Sequence, residues 1–87
     1  MEVIHEKSKQ RFCLGDSHLE YEVEDGGTCL NIYHTYTAPA KRGQGIAGKV
    51  TAAAFEYAKA NDMRVKGTCS YVLTFVEKRP EWAEMLQ

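Results

Sequence analysis

A glycine-rich segment in the middle of the chain, KRGQGIAGKV (residues 41–50), constrains the fold and function of this sequence more than any other feature. Two spellings of a nucleotide loop overlap in it, the dinucleotide fingerprint G-x-G-x-x-G and most of the P-loop, G-x-x-x-x-G-K. A third spelling, R-x-x-G-x-A, is the acyl-CoA pyrophosphate signature Q/R-x-x-G-x-G/A. A plain glycine-rich turn is the fourth interpretation.

The length of the chain and the residues after the segment argue against the first two interpretations. Eighty-seven residues suffice for one small domain, whereas a dinucleotide-binding domain needs repeated βαβ units. A P-loop lysine is followed by Ser or Thr, which holds magnesium, but Lys49 is followed by Val50. The dinucleotide fingerprint needs an acidic residue at a strand end about 20 positions on, whereas Asp62 falls at a predicted helix terminus.

The composition is typical of a soluble globular domain. The formal charge is −1, from 11 basic and 12 acidic residues, so no nucleic-acid or membrane partner is expected. No apolar run is long enough to span a membrane, and MEVIHEKSKQ at the start lacks the apolar core of a signal peptide. The three cysteines have no metal-binding spacing, which predicts an intracellular, cytoplasmic protein without a metal site.

Three strands are predicted before the glycine-rich segment. They cover QRFCLG (10–15), HLEYEVE (18–24) and CLNIYHTYT (29–37). The second alternates apolar residues with glutamates, as a half-exposed strand does. The turn DGG between the second and third strands is typical of a hairpin.

The remainder of the chain predicts a helix, a strand and a second helix. Residues 46–58 carry apolar side chains at three- and four-residue spacing, which indicates an amphipathic helix, and Asn61 is a suitable left-handed stop. A fourth strand is predicted over residues 63–72, before a helical tail interrupted at Pro80. The order β-β-β-α-β-α predicts an α+β domain, a mixed, mostly antiparallel sheet with helices packed on it.

The start of the first predicted helix is suited to bind an anion. The first amides of a helix lack intrahelical acceptors, and the helix dipole adds about half a positive charge there. Glycines let a diphosphate approach these amides, because no Cβ stands in the way. Gly43, Gly45 and Gly48 each cost a helix up to about 1 kcal/mol relative to Ala. Three such costs close together indicate that this backbone has a purpose other than helix stability.

The segment YTAPAKRGQGIAGKV (36–50) resembles the acetyl-CoA-binding motif of the GNAT superfamily of N-acetyltransferases, V-x-P-x-x-R-G-x-G-I-A. Together with HTY (34–36), TCSYV (68–72) and RPEW (79–82), it resembles the very small GNAT-like family, whose members consist of a minimal acetyltransferase domain. The resemblance runs over residues 30–82 and implies a single GNAT-like N-acetyltransferase domain covering residues 1–87.

The sequence departs from the family pattern at three places. Thr37 stands where the motif usually has Val, and Gly67 stands where the small family often has Pro. The chain has no room for the N-terminal helices that form the floor of the acceptor site in longer GNAT proteins. Acceptor recognition is therefore the part that the resemblance supports least.

The resemblance implies acetyl-CoA, or coenzyme A, as the co-substrate and no metal. The glycine-rich backbone would hold the pyrophosphate, and the end of the third predicted strand would pair with the pantetheine arm. The arm would enter the gap where that strand separates from the next, and the final segment would cover the CoA. The implied cofactor-binding residues are Tyr36, Thr37, Arg42, Gly43, Gln44, Gly45, Ile46, Ala47, Gly48, Ser70, Phe75 and Arg79.

Three residues are candidates for the chemistry of acetyl transfer, which needs a base for the amine and an acid for the departing thiolate. Cys69 matches a cysteine that the small family places near the acetyl thioester; it would protonate the CoA sulfur, carry the acetyl group, or only pack in the core. His34 is the candidate general base, although strand alternation groups it with Leu30, Ile32 and Tyr36 on an apolar face. Tyr71 would donate to the thioester oxygen or to the thiolate.

Two functional classes follow from these residues. The first is an acetyl-CoA-dependent N-acetyltransferase that acts on an amine of unknown identity, either a small molecule or a protein. The alternative is a CoA-binding or interaction module with little or no transferase activity. The oligomeric state is expected to be a monomer or a weak dimer. His5 and His18 are interpreted as surface residues.

Overall fold

The computed structural model of the chain describes residues 3–37, 45–68 and 70–86, without the side chain of Ser70. Five strands form one sheet in the order β1-β2-β3-β4-β5. The strands are β1 (Ile4–Glu6), β2 (Arg11–Leu14), β3 (Ser17–Glu24), β4 (Cys29–Tyr36) and β5 (Arg64–Gly67). The helices are α1 (Ile46–Ala60) and α2 (Ser70–Lys78), and short 3-10 turns cover Lys7–Lys9, Asp25–Gly27 and Pro80–Met85.

The topology is a meander followed by a crossover. Strands β1 to β4 pair antiparallel with their neighbours along the chain. The chain then passes through α1 and returns as β5, which pairs parallel with β4, as strands joined by a crossover helix do. The mixed sheet confirms the predicted α+β class.

The predicted element order was incomplete at both ends of the sheet. It missed β1, a strand of only 3 residues, so the observed order is β-β-β-β-α-β-α. The strand predicted over residues 63–72 was too long, because β5 ends at Gly67 and α2 begins at Ser70. The left-handed residue after α1 is Asp62, with φ 55°, whereas Asn61 has φ −111°.

Both helices pack on one face of the sheet, which we call the core face. The predicted apolar stripe of α1 is confirmed, since Val50, Ala54 and Ala58 are fully buried against the sheet. Helix α2 adds Val72 and Phe75 to the same cluster. No helix among the described residues is both long and apolar enough to cross a membrane.

A β-bulge at Tyr33 decides which side chains of β4 reach the core face. Tyr21 pairs with Ile32, but Glu20 pairs with His34, so Tyr33 is an extra residue in β4. An extra residue reverses the alternation beyond it. The prediction that His34 shares a face with Ile32 is therefore wrong, because His34 lies on the opposite face. We call that side the outer face; it carries Arg11, Cys13, His18, Glu20, His34 and Tyr36.

His5 is half-buried, which corrects its interpretation as a surface residue. Its imidazole stacks on the ring of Phe12 at a centroid distance of 4.1 Å. Its Nε2 lies 2.6 Å from the hydroxyl oxygen of Tyr21. Burial, with a smaller effect of the nearby Lys7 charge, lowers the pKa of His5 below 6.5. The folded state therefore favours the neutral ring.

We expect the free energy of unfolding to fall as the pH drops below about 6.5, because the unfolded chain then binds a proton that folded His5 resists. His5→Gln keeps an amide near Tyr21 but does not titrate, so the decline just below pH 6.5 should become shallower. Urea unfolding at a series of pH values measures this. Glu6, whose pKa is lowered below 4.5, acts in a separate and more acidic range. An equally steep decline in the variant would contradict the assignment to His5.

Candidate functional site

Helix α1 begins without a side-chain cap. Gly45 is the N-cap residue with φ 73°, and no side-chain hydrogen bond caps this end among the described residues. The first helical bond that the structure describes runs from the Lys49 amide to the Gly45 carbonyl oxygen, at 3.1 Å. The amides of Ile46, Ala47 and Gly48 precede it, and they are the groups that a helix leaves for an external acceptor. The helix dipole makes this end favourable for an anion.

Strands β4 and β5 part close to this helix end. Their pairing ends at Ile32 and Gly67, and the amide of Thr68 still donates to the carbonyl oxygen of Ile32 at 3.1 Å. Strand β4 continues to Tyr36, while the chain after Thr68 turns into α2. The separation of these two strands, predicted from the sequence resemblance, is therefore present, and the last paired residues are Ile32 and Gly67.

Tyr71 connects the two helices at this place. It lies in the first turn of α2 and is half-buried. Its hydroxyl oxygen lies 3.7 Å from the position that a Cβ on Gly48 would occupy, so the phenol lies against the first turn of α1. Burial raises the pKa of Tyr71, and the charge of Arg79 opposes this rise only in part. The phenol therefore keeps its proton at neutral pH and is available as a donor.

Gly67 allows α2 to pack against the end of β5. A Cβ at this position would lie 2.7 Å from the Cβ of Val72, a distance that packed carbon atoms do not tolerate. Val72 is itself fully buried. The departure from the family pattern at Gly67 thus has a local reason, because the space of the missing side chain is filled by Val72.

The remaining predicted residues divide into four groups. Tyr36 and Thr37 lie at the end of β4 and just beyond it, exposed and half-buried respectively. Phe75 is only 3% exposed and packs on Phe55 in the core, at 5.3 Å between ring centroids. Arg79 lies past the far end of α2, with its guanidinium 5.5 Å from the ring of Phe75. The last group lies outside the described residues and consists of Arg42, Gly43, Gln44, Cys69 and the side chain of Ser70.

His34 lies on the outer face in a group that the sequence reasoning missed. His18 and Glu20 lie two positions apart on β3 and therefore on one face, beside His34. Glu20 is the direct partner of His34 across the strand pair. The ring of Tyr36 lies 5.5 Å from that of His18. The polar side of the HLEYEVE strand could have indicated that His18 and Glu20 lie together. Only the bulge brings His34 to the same side.

A separate cavity of about 350 Å³ lies at the opposite end of α1. Lys59 and Trp82 line it together with charged residues of both signs, and the Lys59 ammonium lies 5.9 Å from the Trp82 ring. None of the predicted site residues is among those lining it. The described features that match the predicted CoA site, the Gly45 helix start and Tyr71, therefore lie at the other end of α1.

Comparison with known proteins decides the family. The sequence model of the family of GCN5-related N-acetyltransferases matches residues 11–85 of this chain. The chain belongs to this family. Protein NATD1 of Bos taurus is 31% identical over 98% of this chain and 81% of its own length. Protein NATD1 of Homo sapiens is 29% identical over 98% of this chain and 81% of its own length.

A solved structure supports the architecture of this GCN5-related chain. The NMR structure of a GCN5-like protein from Staphylococcus aureus superposes with a TM-score of 0.73, covering 99% of this chain and 87% of that one. Its sequence identity is 22%, so the likeness concerns the fold. The name NATD1 states no activity. Membership thus establishes an acetyltransferase-like domain, while its ligand and its reaction need separate arguments.

Proposed function

We propose that this chain binds acetyl-CoA and transfers the acetyl group to an amine. The observation that carries the proposal is the uncapped start of α1, opened by the left-handed Gly45, beside the place where β4 and β5 part. A diphosphate would accept hydrogen bonds from the first amides of α1, where the dipole also favours negative charge. Arg42, Gly43 and Gln44, which lie outside the described residues, are proposed as the rest of this loop on the family motif alone.

The pantetheine arm would lie along the end of β4. Strand β5 ends opposite Ile32, and β4 continues to Tyr36. We propose that the backbone at Tyr36 and Thr37 pairs with the amides of the arm, as an added strand pairs with a sheet edge. The thioester would then lie near the first turns of both helices.

The reaction forms one bond and breaks one bond. The amine nitrogen attacks the thioester carbonyl carbon, and the carbon–sulfur bond breaks to give an amide and the CoA thiolate. Tyr71 is proposed to give its proton to that thiolate, since it is protonated at neutral pH and lies at the start of α1. His34, exposed on the outer face, is proposed to receive the amine proton. Cys69 is proposed to lie near the thioester.

The open outer face supports the second candidate, a CoA-binding module without efficient transfer. The described helices both pack on the core face, and Tyr33 and Tyr36 are 43% and 39% exposed. An acceptor amine on this face would contact the sheet on one side and no helix among the described residues on the other. Release of free thiol from acetyl-CoA, measured with and without a panel of amines, separates the two functions. Tight CoA binding with thiol release at the background rate would favour the module.

A matched pair of glycines tests cofactor binding. Gly45 and Gly26 have nearly the same φ, 73° and 68°, and a Cβ at either meets no atom within 4 Å. Alanine at each should therefore cost a similar 1–2 kcal/mol or so in backbone strain. We expect Gly45→Ala to weaken acetyl-CoA binding by about 10- to 100-fold, because the methyl group displaces the diphosphate from charge-assisted hydrogen bonds. Gly26→Ala, in the turn before β4, should bind as the wild type does.

Isothermal titration calorimetry with acetyl-CoA measures both variants, and urea unfolding measures their stability. Equal affinities for the two variants, with equal losses of stability, would show that the diphosphate does not lie at Gly45. Absence of binding heat from the wild-type chain, together with absence of thiol release, would reject both candidate functions.

A further inference from the structure

We propose that His18, Glu20 and His34 form a binding site for a divalent transition-metal ion, with zinc as the ion of first choice. Two imidazole nitrogens and one carboxylate oxygen are the ligand types that zinc takes in proteins. The three donor atoms all lie within 4.8 Å of one another. This proposal does not need the acetyl-transfer proposal to hold, but the two share His34: a zinc-bound His34 would not receive the amine proton, so that role belongs to the metal-free chain.

The sheet assembles the three ligands. His18 and Glu20 are two positions apart on β3 and so project from the same face. His34 lies directly opposite Glu20 on β4 and projects from this face because of the bulge at Tyr33. Rigid neighbouring strands thus hold the three Cα atoms, which favours a defined site over a chance meeting of mobile side chains.

The distances suit a metal after small side-chain rotations. His18 Nε2 and Glu20 Oε1 are 3.2 Å apart, close to the roughly 3.4 Å between donors of a tetrahedral zinc ion with bonds of about 2.1 Å. The wider separations in the group must shrink by about 1.4 Å at most. The side chains of His18 and Glu20 are 27% and 35% exposed, so they have room to rotate and an ion can reach them.

The surroundings leave the ligands available. Arg11 is the cross-strand neighbour of Glu20 on the other side, but its guanidinium Nε donates to Glu6 at 2.6 Å. Tyr33 donates a longer bond to Glu20, at 3.2 Å, from a hydroxyl that is free to rotate. The carboxylate of Glu20 therefore keeps acceptor positions for a cation.

A three-ligand site on an exposed face leaves one coordination position open. Zinc sites with three protein ligands use the fourth position for water or a substrate. Cys13 lies opposite His18 on the outer face, but its thiol donates to Glu6 at 3.1 Å and burial raises its pKa. It is therefore not counted as a ligand. The open position faces solvent, where a small molecule can reach it.

The local spacing rules from which no metal site was predicted could not detect this group. Such rules detect ligands close in sequence, whereas His18 and His34 lie on different strands and meet only through the strand pairing. The charged ligand also favours binding, since it neutralises part of the charge of the ion.

Zinc titration of tag-free protein tests the proposal. Calorimetry and competition with a chromophoric chelator should both give one zinc ion per chain. We expect His18→Ala, His34→Ala and Glu20→Gln each to weaken binding by about 10-fold or more, since each removes a direct ligand. His5→Gln, a histidine outside the group, and Cys13→Ser are the matched controls and should keep the wild-type affinity. Far-UV circular dichroism and unfolding midpoints confirm that each variant folds.

Three outcomes would overturn the site. One is a wild-type chain that fails to compete with the chelator. Another is unchanged zinc affinity in the double variant His18→Ala with His34→Ala. The last is loss of binding in Cys13→Ser with binding retained in His34→Ala, which would assign the ion to the thiol. A cobalt-loaded protein whose absorption spectrum changes on His34→Ala but not on His5→Gln would support the site directly.

Discussion

Replacing Tyr71 by phenylalanine is expected to lower kcat for acetyl transfer by about 100-fold or more, within the range that general acid catalysis contributes. The phenol lies against the first turn of α1, and burial keeps its pKa above the ordinary value of 10.0. It is therefore protonated at neutral pH and can donate to the thiolate in the proposed reaction. KM for acetyl-CoA should change little, because the proton is given up as the carbon–sulfur bond breaks and does not contribute to binding of the intact thioester.

Tyr57→Phe is the matched control for this variant. Tyr57 is also a half-buried tyrosine, but it packs on the ring of His5 at 4.6 Å, away from the proposed site. Steady-state kinetics with acetyl-CoA and a responsive amine, together with thermal unfolding of both variants, provide the comparison. Equal kcat values for Tyr71→Phe and Tyr57→Phe would remove Tyr71 from the reaction.

The raised pKa of Tyr71 also fixes the direction of the pH effect. The wild-type kcat should not fall through loss of this proton until the pH exceeds about 10. In Tyr71→Phe, that alkaline fall should be absent. A fall near neutral pH that disappears with the hydroxyl would contradict the direction given by burial.

Gly67→Ala is expected to lower the free energy of unfolding by about 1–3 kcal/mol, the usual cost of overpacking. The added methyl would lie 2.7 Å from the Cβ of Val72 and 2.8 Å from its Cγ1, and these atoms belong to a buried side chain. In a domain of this size, each kcal/mol lowers Tm by about 4–8 °C. The constraint is space, since Gly67 is not among the glycines with positive φ.

Two further variants locate this cost. Gly48→Ala adds a methyl group at an ordinary contact distance, 3.7 Å from the Tyr71 hydroxyl oxygen, and should raise the stability of α1 by up to about 1 kcal/mol. Val72→Ala removes Cγ1 and Cγ2, two of the three atoms that the methyl group of Gly67→Ala would strike, and keeps the Cβ at 2.7 Å. The double variant should therefore lose less stability than the sum of the two single variants, although it does not relieve the whole clash. Additive losses would show that the methyl group at Gly67 does not meet the γ carbons of Val72.

The glycine-rich helix start could be predicted because its signal is local. A helix that begins at Ile46 after Gly45 follows from apolar spacing and glycine preference alone. The core stripe of α1 could be predicted for the same reason. These features depend on residues within a few positions of each other, and no distant contact reverses them.

The faces of β4 could not be predicted, because the alternation was counted across a bulge. Nothing in CLNIYHTYT indicates that Tyr33 is the extra residue, which depends on how β3 pairs with β4. The end of β5 was also predicted wrongly, for a related reason. TCSYV contains residues that suit a strand, but Ser70, Tyr71 and Val72 lie in α2, where Val72 packs against Gly67, and tertiary packing overrides local propensity.

The shortness of the outermost strands has a bearing on solubility at high concentration. The sheet ends in β1, with 3 residues, and β5, with 4. Leu86 forms a bridge to Val65 along part of the β5 side, so β1 and β5 themselves leave little backbone to template a foreign strand. Short or covered borders of this kind discourage fibril-like association. We therefore expect the short outermost strands to limit aggregation of this domain more than its formal charge of −1, which provides little repulsion between copies.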